Sequence, residues 1–166
     1  MERALQFRTP EERDAGFLLD LFSSAAPGRD FLPPPLLEMQ QQAQHQQWSE
    51  LWGGNGNVVV EFDGVPAGRI WTAWGTRDVR LVDIALLPEF RGAGLGGRLL
   101  GNVCEAADVA GMDVRLAVAR DNIAALALYQ RSGFVMEEAG AVFLSLRRWH
   151  ESAAVGVHRP SRGGLT

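Results

Sequence analysis

The sequence predicts a single α/β domain, and three observations support that fold class. The chain has 166 residues, enough to bury one core without disulfides or a metal. Short apolar runs of strand length alternate with longer segments whose apolar residues recur at helical spacing. A glycine-rich turn at residues 91–96 lies where an apolar strand ends and an amphipathic helix begins. We expect the domain to occupy residues 1–150, and residues 151–166, which are rich in glycine, to form a flexible tail.

The first half of the chain is predicted to form a strand, two helices and three more strands. Leu5 and Phe7 alternate with polar residues in the first strand, and Thr9 caps a helix that begins at Pro10 and ends near residue 22. A loop at residues 23–35 precedes a glutamine-rich helix. That helix spans residues 36–52, and the three strands span residues 58–62, 67–73 and 78–87, with a hairpin turn at residues 63–66.

The second half is predicted to form a helix, a strand, a helix and a final strand pair. Apolar residues from Leu95 to Ala110 mark one face of the first helix, which Gly111 closes. Val114, Leu116 and Val118 alternate as a strand. Asn122 caps a helix that runs to residue 132, and the last two strands span residues 135–138 and 141–148.

The composition of residues 91–96 is suited to holding phosphates. Glycines at 92, 94 and 96 let the backbone come close to a ligand and direct successive N–H groups into one concavity. The helix that begins near Gly94 adds the positive end of its dipole, and Arg91 adds a full charge. The spacing is Arg-x-x-Gly-x-Gly, which is neither a P-loop nor the dinucleotide fingerprint.

Residues 80–134 resemble the GNAT superfamily of acyl-CoA-dependent N-acyltransferases. The resemblance rests on Leu-Val-Asp-Ile-Ala-Leu-Leu-Pro-Glu-Phe-Arg-Gly-Ala-Gly-Leu-Gly at 81–96, on Asn122, and on Leu-Tyr-Gln-Arg-Ser-Gly-Phe at 128–134. It implies a GNAT-type mixed, mostly antiparallel central sheet flanked by helices, in the order β-α-α-β-β-β-α-β-α-β-β. It also implies acetyl-CoA as co-substrate and no metal.

The resemblance further implies a coenzyme A site. The turn would bind the pyrophosphate, the strand before it would expose backbone groups to the pantetheine and the thioester carbonyl, and the last helix would lie near the pantetheine and the thiol. The residues concerned are Arg91, Gly92, Ala93, Gly94, Leu95 and Gly96 in the turn, Ile84, Ala85 and Leu86 in the strand, and Asn122, Ala125 and Tyr129 in the helix.

Tyr129 is a candidate catalytic residue. It is the only tyrosine in the chain and follows Asn122 by seven residues, so the two side chains share one face of a helix. In the family that the sequence resembles, the matching tyrosine donates a hydrogen bond or a proton to the coenzyme A sulfur. The alternative is a tyrosine that packs against the sheet beside Leu126 and Phe134.

Asp83 is a second candidate, because it is a lone carboxylate in an apolar strand. Such a group must reach water, a partner or a ligand. It could accept a proton from the attacking amine or bind the ammonium; alternatively it faces solvent or pairs with an arginine. The next strand, residues 114–119, holds no acid, and Glu61, Asp63 and His45 are the other candidate bases.

We therefore expect an N-acetyltransferase that moves acetyl from acetyl-CoA to a primary amine by direct attack, the amine belonging to a small molecule, a peptide or a protein. The alternatives are a coenzyme A-binding or interaction protein with weak or no catalysis, and an enzyme that uses a longer acyl-CoA. Trp48 and Trp52, expected to be exposed on the glutamine-rich helix, support the interaction protein or form the rim of an acceptor groove.

Composition excludes other classes of protein. The net charge of −4 argues against a general nucleic-acid binder, and the single cysteine excludes an internal disulfide. Cys104 is expected to be a small buried hydrophobe. The chain shows neither a signal peptide nor an apolar run long enough to span a membrane, so we expect no membrane partner and a cytoplasmic protein. The sequence leaves open whether the protein is a homodimer.

Overall fold

The computed structural model describes residues 4–151, so the expected tail lies outside the described residues from residue 152 onward. Within residues 4–151, seven strands form one sheet in the order β1-β2-β3-β4-β5-β7-β6. The strands are β1 (Leu5–Arg8), β2 (Asn57–Phe62), β3 (Val65–Trp74), β4 (Asp78–Leu86), β5 (Asp113–Ala119), β6 (Val135–Ala139) and β7 (Phe143–Arg148), and the α-helices are α1 (Ala15–Ser24), α2 (Pro34–Trp52), α3 (Leu95–Val109) and α4 (Ile123–Arg131). Among these strands of the described residues, only β4 and β5 pair in parallel. The predicted element order and the mixed, mostly antiparallel sheet are confirmed.

The start of the first helix differs from the prediction. Residues 12–14 form a turn of 3-10 helix, and the α-helix begins only at Ala15. The reason is Asp14, whose carboxylate accepts the Glu11 N–H at 2.7 Å and binds the guanidinium of Arg8. Asp14, and not Thr9 as predicted, therefore fixes the helix start.

The hairpin between β2 and β3 is tighter than predicted. Asp63 and Gly64 alone form the turn, with φ of 52° and 80°, and Val65 already pairs with Phe62. Two successive residues at positive φ are typical of a two-residue hairpin turn whose twist matches that of the strands. The prediction that Val65 and Pro66 belong to the turn is wrong, and β3 begins at Val65.

The two faces of the sheet are covered differently. On one face α3 and α4 pack on alternate strand residues to form the main core. Its buried members include Ile70, Val79, Leu81, Leu99, Leu100, Val114, Leu116, Phe134 and Leu146. On the other face α2 packs on β3 through Trp71, whose ring lies 5.7 Å from that of Trp48 and whose Nε1 donates to the carbonyl of Gly53.

In the middle of the sheet, β4 and β5 diverge and leave space for a site. β4 and β5 pair only over their first residues, from Asp78 to Arg80 on one strand and from Asp113 to Arg115 on the other. Opposite β3, Trp71 pairs with Asp83 and Thr72 with Leu81, so Val82 is the extra residue of a β-bulge. A bulge bends a strand and sharpens its twist, and β4 leaves β5 from this point onward. The carboxyl ends of the two strands therefore border a gap.

Some structural features are absent from the part of the chain that the structure describes. Over residues 4–151, no helix is long and apolar enough to cross a membrane. The same residues contain no cluster of three or more His, Cys, Asp or Glu side chains that could hold a metal ion. Cys104 is buried in the core, as predicted, and burial raises the pKa of its thiol. This cysteine fills space rather than reacting.

Candidate active site

A cavity of about 320 Å³ occupies the gap between β4 and β5. Its volume falls in the range of small-molecule sites. The lining comes from five elements and the turn after β4. It consists of Trp48 on α2, Leu81, Val82, Asp83, Ile84 and Leu86 on β4, Arg91 and Gly96 around the turn, Ala117, Val118 and Ala119 on β5, Asn122, Ala125, Leu128 and Tyr129 on α4 with its cap, and Phe143 on β7.

The glycine-rich turn lies at one end of this cavity and leads into α3. Gly92 and Gly94 have φ of 79° and 78°, a region that side-chain-bearing residues rarely adopt, and a Cβ at either position would meet no atom within 4 Å. Gly94 is the cap of α3, whose first backbone N–H groups have no partner within the helix. The turn thus presents free donors and open space to a ligand, as an anion site at a helix N-terminus does.

The side chain of Arg91 stabilises the position of the turn. Its Nε donates to the carbonyl of Leu86 at 2.9 Å, and one terminal nitrogen donates to the carbonyl of Ser24 at 3.1 Å. These bonds join the end of β4, the end of α1 and the turn. The guanidinium therefore holds the mouth of the cavity together and places its charge there.

Helix α4 contributes the polar groups of the opposite wall. Asn122 caps the helix by accepting the Ala125 N–H at 3.2 Å, which confirms the predicted cap. Tyr129, 7% exposed, packs against Phe134 with ring centroids 5.6 Å apart. Burial, followed by the negative charge of Asp83, raises the pKa of Tyr129. The phenol is therefore protonated at neutral pH, and its O–H can donate a hydrogen bond.

Asp83 enters the cavity from β4 and is paired with an arginine. Nη2 and Nε of Arg69 donate to the same carboxylate oxygen, Oδ2, at 2.6 and 3.2 Å. Arg69 is 8% exposed and lies 5.5 Å from the Trp48 ring, so the pair stands between α2 and the cavity. Among residues 4–151 the other oxygen, Oδ1, makes no hydrogen bond. Asp83 thus combines the predicted arginine pairing with a place in the cavity.

The structure brings together most of the residues expected at the site. Asp83, Ile84, Leu86, Arg91, Gly96, Asn122, Ala125 and Tyr129 all line the cavity, whereas Ala85, Gly92, Ala93, Gly94 and Leu95 do not. Leu95 is buried beneath the turn. None of the other candidate bases lines the cavity: Glu61 is bound to Arg8 at 2.6 Å, Asp63 lies in a hairpin turn, and the ring of His45 packs 5.3 Å from that of Trp71.

Sequence reasoning missed the wall formed by β5 and β7 and misjudged one tryptophan. Ala117, Ala119 and Phe143 line the cavity, and only the long-range pairing of β5 with β7 places them there. Trp48 was expected to be exposed; it is half-buried, because its ring packs edge-on against Trp71. Trp52, 38% exposed, lies beneath the guanidinium of Arg80.

Fold and site together define a class of protein. A sheet opened between two parallel strands, a glycine turn on a helix N-terminus at the mouth and a buried phenol inside are features suited to a long ligand with a phosphate-bearing end. The sequence model of the Acetyltransferase (GNAT) family matches residues 18–134, so the chain belongs to this family. It is therefore an acetyl-CoA-dependent acyltransferase.

Solved structures show the same fold over nearly the whole chain. The PaiA N-acetyltransferase of Thermoplasma acidophilum, in complex with coenzyme A, is 17% identical with a TM-score of 0.68, covering 89% of this chain and 99% of that one. The protein PH1933 of Pyrococcus horikoshii is 16% identical with a TM-score of 0.72, with coverage of 89% and 99%. The ribosomal-protein-S18-alanine N-acetyltransferase of Escherichia coli is 18% identical with a TM-score of 0.64, with coverage of 94% and 100%.

Proposed function

We propose that the protein transfers acetyl from acetyl-CoA to a primary amine by direct attack of the amine on the thioester. The observation that supports this proposal most is the cavity that is lined by the edge of β4 and the buried Tyr129 and that has Arg91 and Gly96 of the glycine turn at its mouth. The turn would hold the phosphates, the strand edge the pantetheine, and the phenol the sulfur. The acyltransferase family of the chain supports the same reaction.

The residues present fit coenzyme A. Gly92 and Gly94 keep open the space that a Cβ would occupy, and the N–H groups at the start of α3 are available to the pyrophosphate. Among residues 4–151 the edge of β4 that faces β5 has no strand partner beyond Arg80. Its backbone groups would bind the amides of the pantetheine arm, except the carbonyl of Leu86, which already accepts from Nε of Arg91. Leu86, near the turn, would contact the pantetheine.

The chemistry requires one bond to form and one to break. The amine nitrogen bonds to the carbonyl carbon, the carbon–sulfur bond breaks, and the sulfur leaves as a thiolate while the nitrogen loses a proton. Tyr129 would stabilise the thiolate by a hydrogen bond. Full proton transfer from Tyr129 is uphill, because a thiol has a pKa of about 8.5 and the pKa of this phenol is raised above its ordinary value of about 10.

Asp83 would act on the amine. Its Oδ1 makes no hydrogen bond among residues 4–151, and its Oδ2 is held by Arg69, so the carboxylate has a fixed orientation and a spare acceptor. A positioned carboxylate can bind an ammonium and take its proton through a water. Trp48 also lines the cavity, and its ring would attract the cationic amine.

Thiol release is the direct test. We expect the protein, incubated with acetyl-CoA and a panel of amines and peptides, to release free coenzyme A thiol at a rate that depends on the amine. Longer acyl-CoA donors in the same assay measure the acyl preference. If coenzyme A raises the melting temperature but no amine gives thiol release with any donor, the protein binds coenzyme A without catalysis and the proposal is wrong.

A further inference from the structure

The face of the sheet beside the cavity is uncovered over β5 and β7. Ala117 lies in the middle of β5, a strand with neighbours on both sides, yet it is exposed. Its partner Ser145 on β7 is half-buried. Helix α2 covers β3 on this face, but nothing in the described chain covers Ala117. The cavity therefore opens sideways onto a shallow groove whose floor is the sheet itself.

Three arginines lie in a row across this groove, at the end where β4 and β5 still pair. Arg80 on β4 pairs in register with Arg115 on β5, and Arg115 pairs with Arg147 on β7. Residues in register on adjacent strands project from the same face, so the three guanidinium groups start from neighbouring points. Like charges in register repel one another, and such a row requires acids to offset it.

The available acids offset this charge unevenly. Arg147 is bound by Asp113 and also lies 3.1 Å from Glu137. Nε of Arg115 is 3.3 Å from Asp78 but makes no hydrogen bond, and the side chain is 41% exposed. Spare guanidinium donors therefore remain on Arg115.

Arg80 is the arginine of this row whose charge is least compensated by acids. No carboxylate among residues 4–151 lies within 4 Å of its guanidinium, and its Nε is buried without a hydrogen-bond partner. The guanidinium lies 4.9 Å from the Trp52 ring centroid. Burial is the main reason that the pKa of Arg80 is lowered, which indicates a charge held without sufficient compensation. An anionic ligand would supply that compensation.

The arginines lie close enough to the cavity for one small molecule to reach both. Arg80 precedes Val82, which lines the cavity, by two strand residues, a separation of about 7 Å. On α2, Trp48 at the cavity and Trp52 at Arg80 are four residues apart and share one face of the helix. Two tryptophan rings on one face of α2 therefore lie at the two places concerned, Trp48 at the cavity and Trp52 at Arg80.

We propose that the acceptor is a primary amine bearing a carboxylate, which binds Arg80 and Arg115 while the amine lies beside Asp83. This proposal rests on the acyltransferase function proposed above. Asp83 would hold the ammonium of the acceptor. Arg80 and Arg115 would hold its carboxylate. Two kinds of acceptor carry such a carboxylate: an amino acid-like small molecule, and a peptide with an acidic side chain near its N-terminus.

Matched pairs of acceptors test this inference. The small-molecule pair is δ-aminovalerate and pentylamine, and the peptide pair is Ala-Glu-Ala amide and Ala-Gln-Ala amide. We expect one pair to show a kcat/KM at least about tenfold higher for its carboxylate member, as one charge-assisted hydrogen bond allows. The pair that responds identifies the source of the carboxylate. Equal kcat/KM values within both pairs would overturn the inference while leaving the acyltransferase function intact.

Charge variants assign the effect to residues. Arg115→Gln and Arg80→Gln should raise the KM for the carboxylate acceptor roughly tenfold, with little change in kcat or in the KM of the neutral acceptor. Arg115 is partly exposed, so its variant should fold even if the Arg80 variant does not. Arg131→Gln, the same charge change at an exposed site on α4, is the matched control and should behave as the unmodified protein. A KM unaltered in a folded Arg115→Gln variant would overturn the assignment.

A binding measurement separates this inference from the reaction. Calorimetry of δ-aminovalerate and of Ala-Glu-Ala amide, each added to the complex of the protein with coenzyme A, requires no turnover. Binding that Arg115→Gln weakens supports the inference even if no thiol is released in any assay. Binding of neither probe, together with thiol release from neutral amines, would show that the acyltransferase function holds and the inference does not.

Discussion

Asp83 and Tyr129 line the same cavity from opposite walls, and the charge of Asp83 adds to burial in raising the pKa of Tyr129. Neither residue hydrogen-bonds the other. Asp83 is instead fixed by Arg69, whose two donors reach one carboxylate oxygen. The charge of Asp83, which is proposed to bind the amine, therefore affects the pKa of Tyr129, which is proposed to stabilise the thiolate.

This coupling is directly measurable, because Tyr129 is the only tyrosine in the chain. In the native protein the phenol should titrate above its ordinary pKa of about 10, and Asp83→Asn should move the titration downward without fully restoring the ordinary value, since burial remains. Ultraviolet absorbance of the phenolate measures the titration. Asp78→Asn, a carboxylate change at the start of β4 outside the cavity, should leave it in place, and an equal shift in both variants would refute the coupling.

The same Asp83→Asn variant should affect the acceptor and spare the donor. We expect a higher KM for the amine or a higher pH optimum, because the variant can neither hold an ammonium nor accept its proton. Coenzyme A affinity should be unchanged. Thermal unfolding must accompany the assay, since the variant leaves the buried Arg69 without its partner. Kinetics equal to those of the unmodified protein across the pH range of the assay would show that Asp83 takes no part in the reaction.

Removal of the Tyr129 hydroxyl tests its role in the leaving step. Tyr129→Phe keeps the ring that packs on Phe134, so the fold should persist. The maximal rate should fall roughly ten- to a thousandfold with coenzyme A affinity nearly unchanged, as expected for a group that acts mainly in the transition state. Steady-state rates and a coenzyme A titration measure the two quantities. A rate equal to that of the unmodified protein would assign Tyr129 to packing alone.

The sequence predicted those parts of the fold and site whose signals are local. Strand alternation, helix caps such as Asn122 and the glycines of the turn are each determined by residues within a few positions, and the structure places them as expected. The start of α1 was not predictable in this way. It depends on Arg8, which reaches Asp14 from the neighbouring strand and makes that residue the fixed point.

The wall of the cavity formed by β5 and β7 depends on contacts that no local pattern encodes. Ala117 reads as an ordinary strand residue, and only the divergence of β4 from β5 after Arg80 exposes it. The same holds for Trp48, which the polar composition of α2 suggested was exposed. Its packing partner, Trp71, lies on a different element, so the sequence spacing of α2 could not reveal it.

The glycine turn should lose its ligand when its space is filled. Gly94→Val should abolish the rise in melting temperature that coenzyme A causes, because the branched side chain would fill the open space at the cap of α3 and strain a φ of 78°. Gly111→Val is a matched control: its φ is 66°, and the space beside it is also open, but it lies at the far end of α3. Both variants should lose stability, and only Gly94→Val should lose the coenzyme A effect. If both respond to coenzyme A, the turn does not hold the phosphates.

The ion pair at the start of α1 predicts how stability depends on pH. Two bonds from Arg8, at 2.7 and 2.8 Å, are the main reason that the pKa of Asp14 is lowered from 3.8 to about 2. Between these two values the unfolded chain binds more protons than the folded one, so this contribution is complete above about pH 4 and is lost as the pH falls towards 2. The shift corresponds to roughly 2 kcal/mol of stability at neutral pH.

Asp14→Asn should therefore destabilise the protein at pH 7 by about 2 kcal/mol or more, because among residues 4–151 it leaves the guanidinium of Arg8 with only Glu61 as an acidic partner. The difference in unfolding free energy between the unmodified protein and this variant should shrink as the pH is lowered from about 4 to 2, and chemical denaturation at several pH values measures it. Asp20→Asn, an exposed acid on the same helix that makes no hydrogen bond or ion pair among residues 4–151, is the control and should cost little. A difference that stays constant over this pH range would show that Asp14 stabilises the helix start by its shape and hydrogen bonding rather than by its charge.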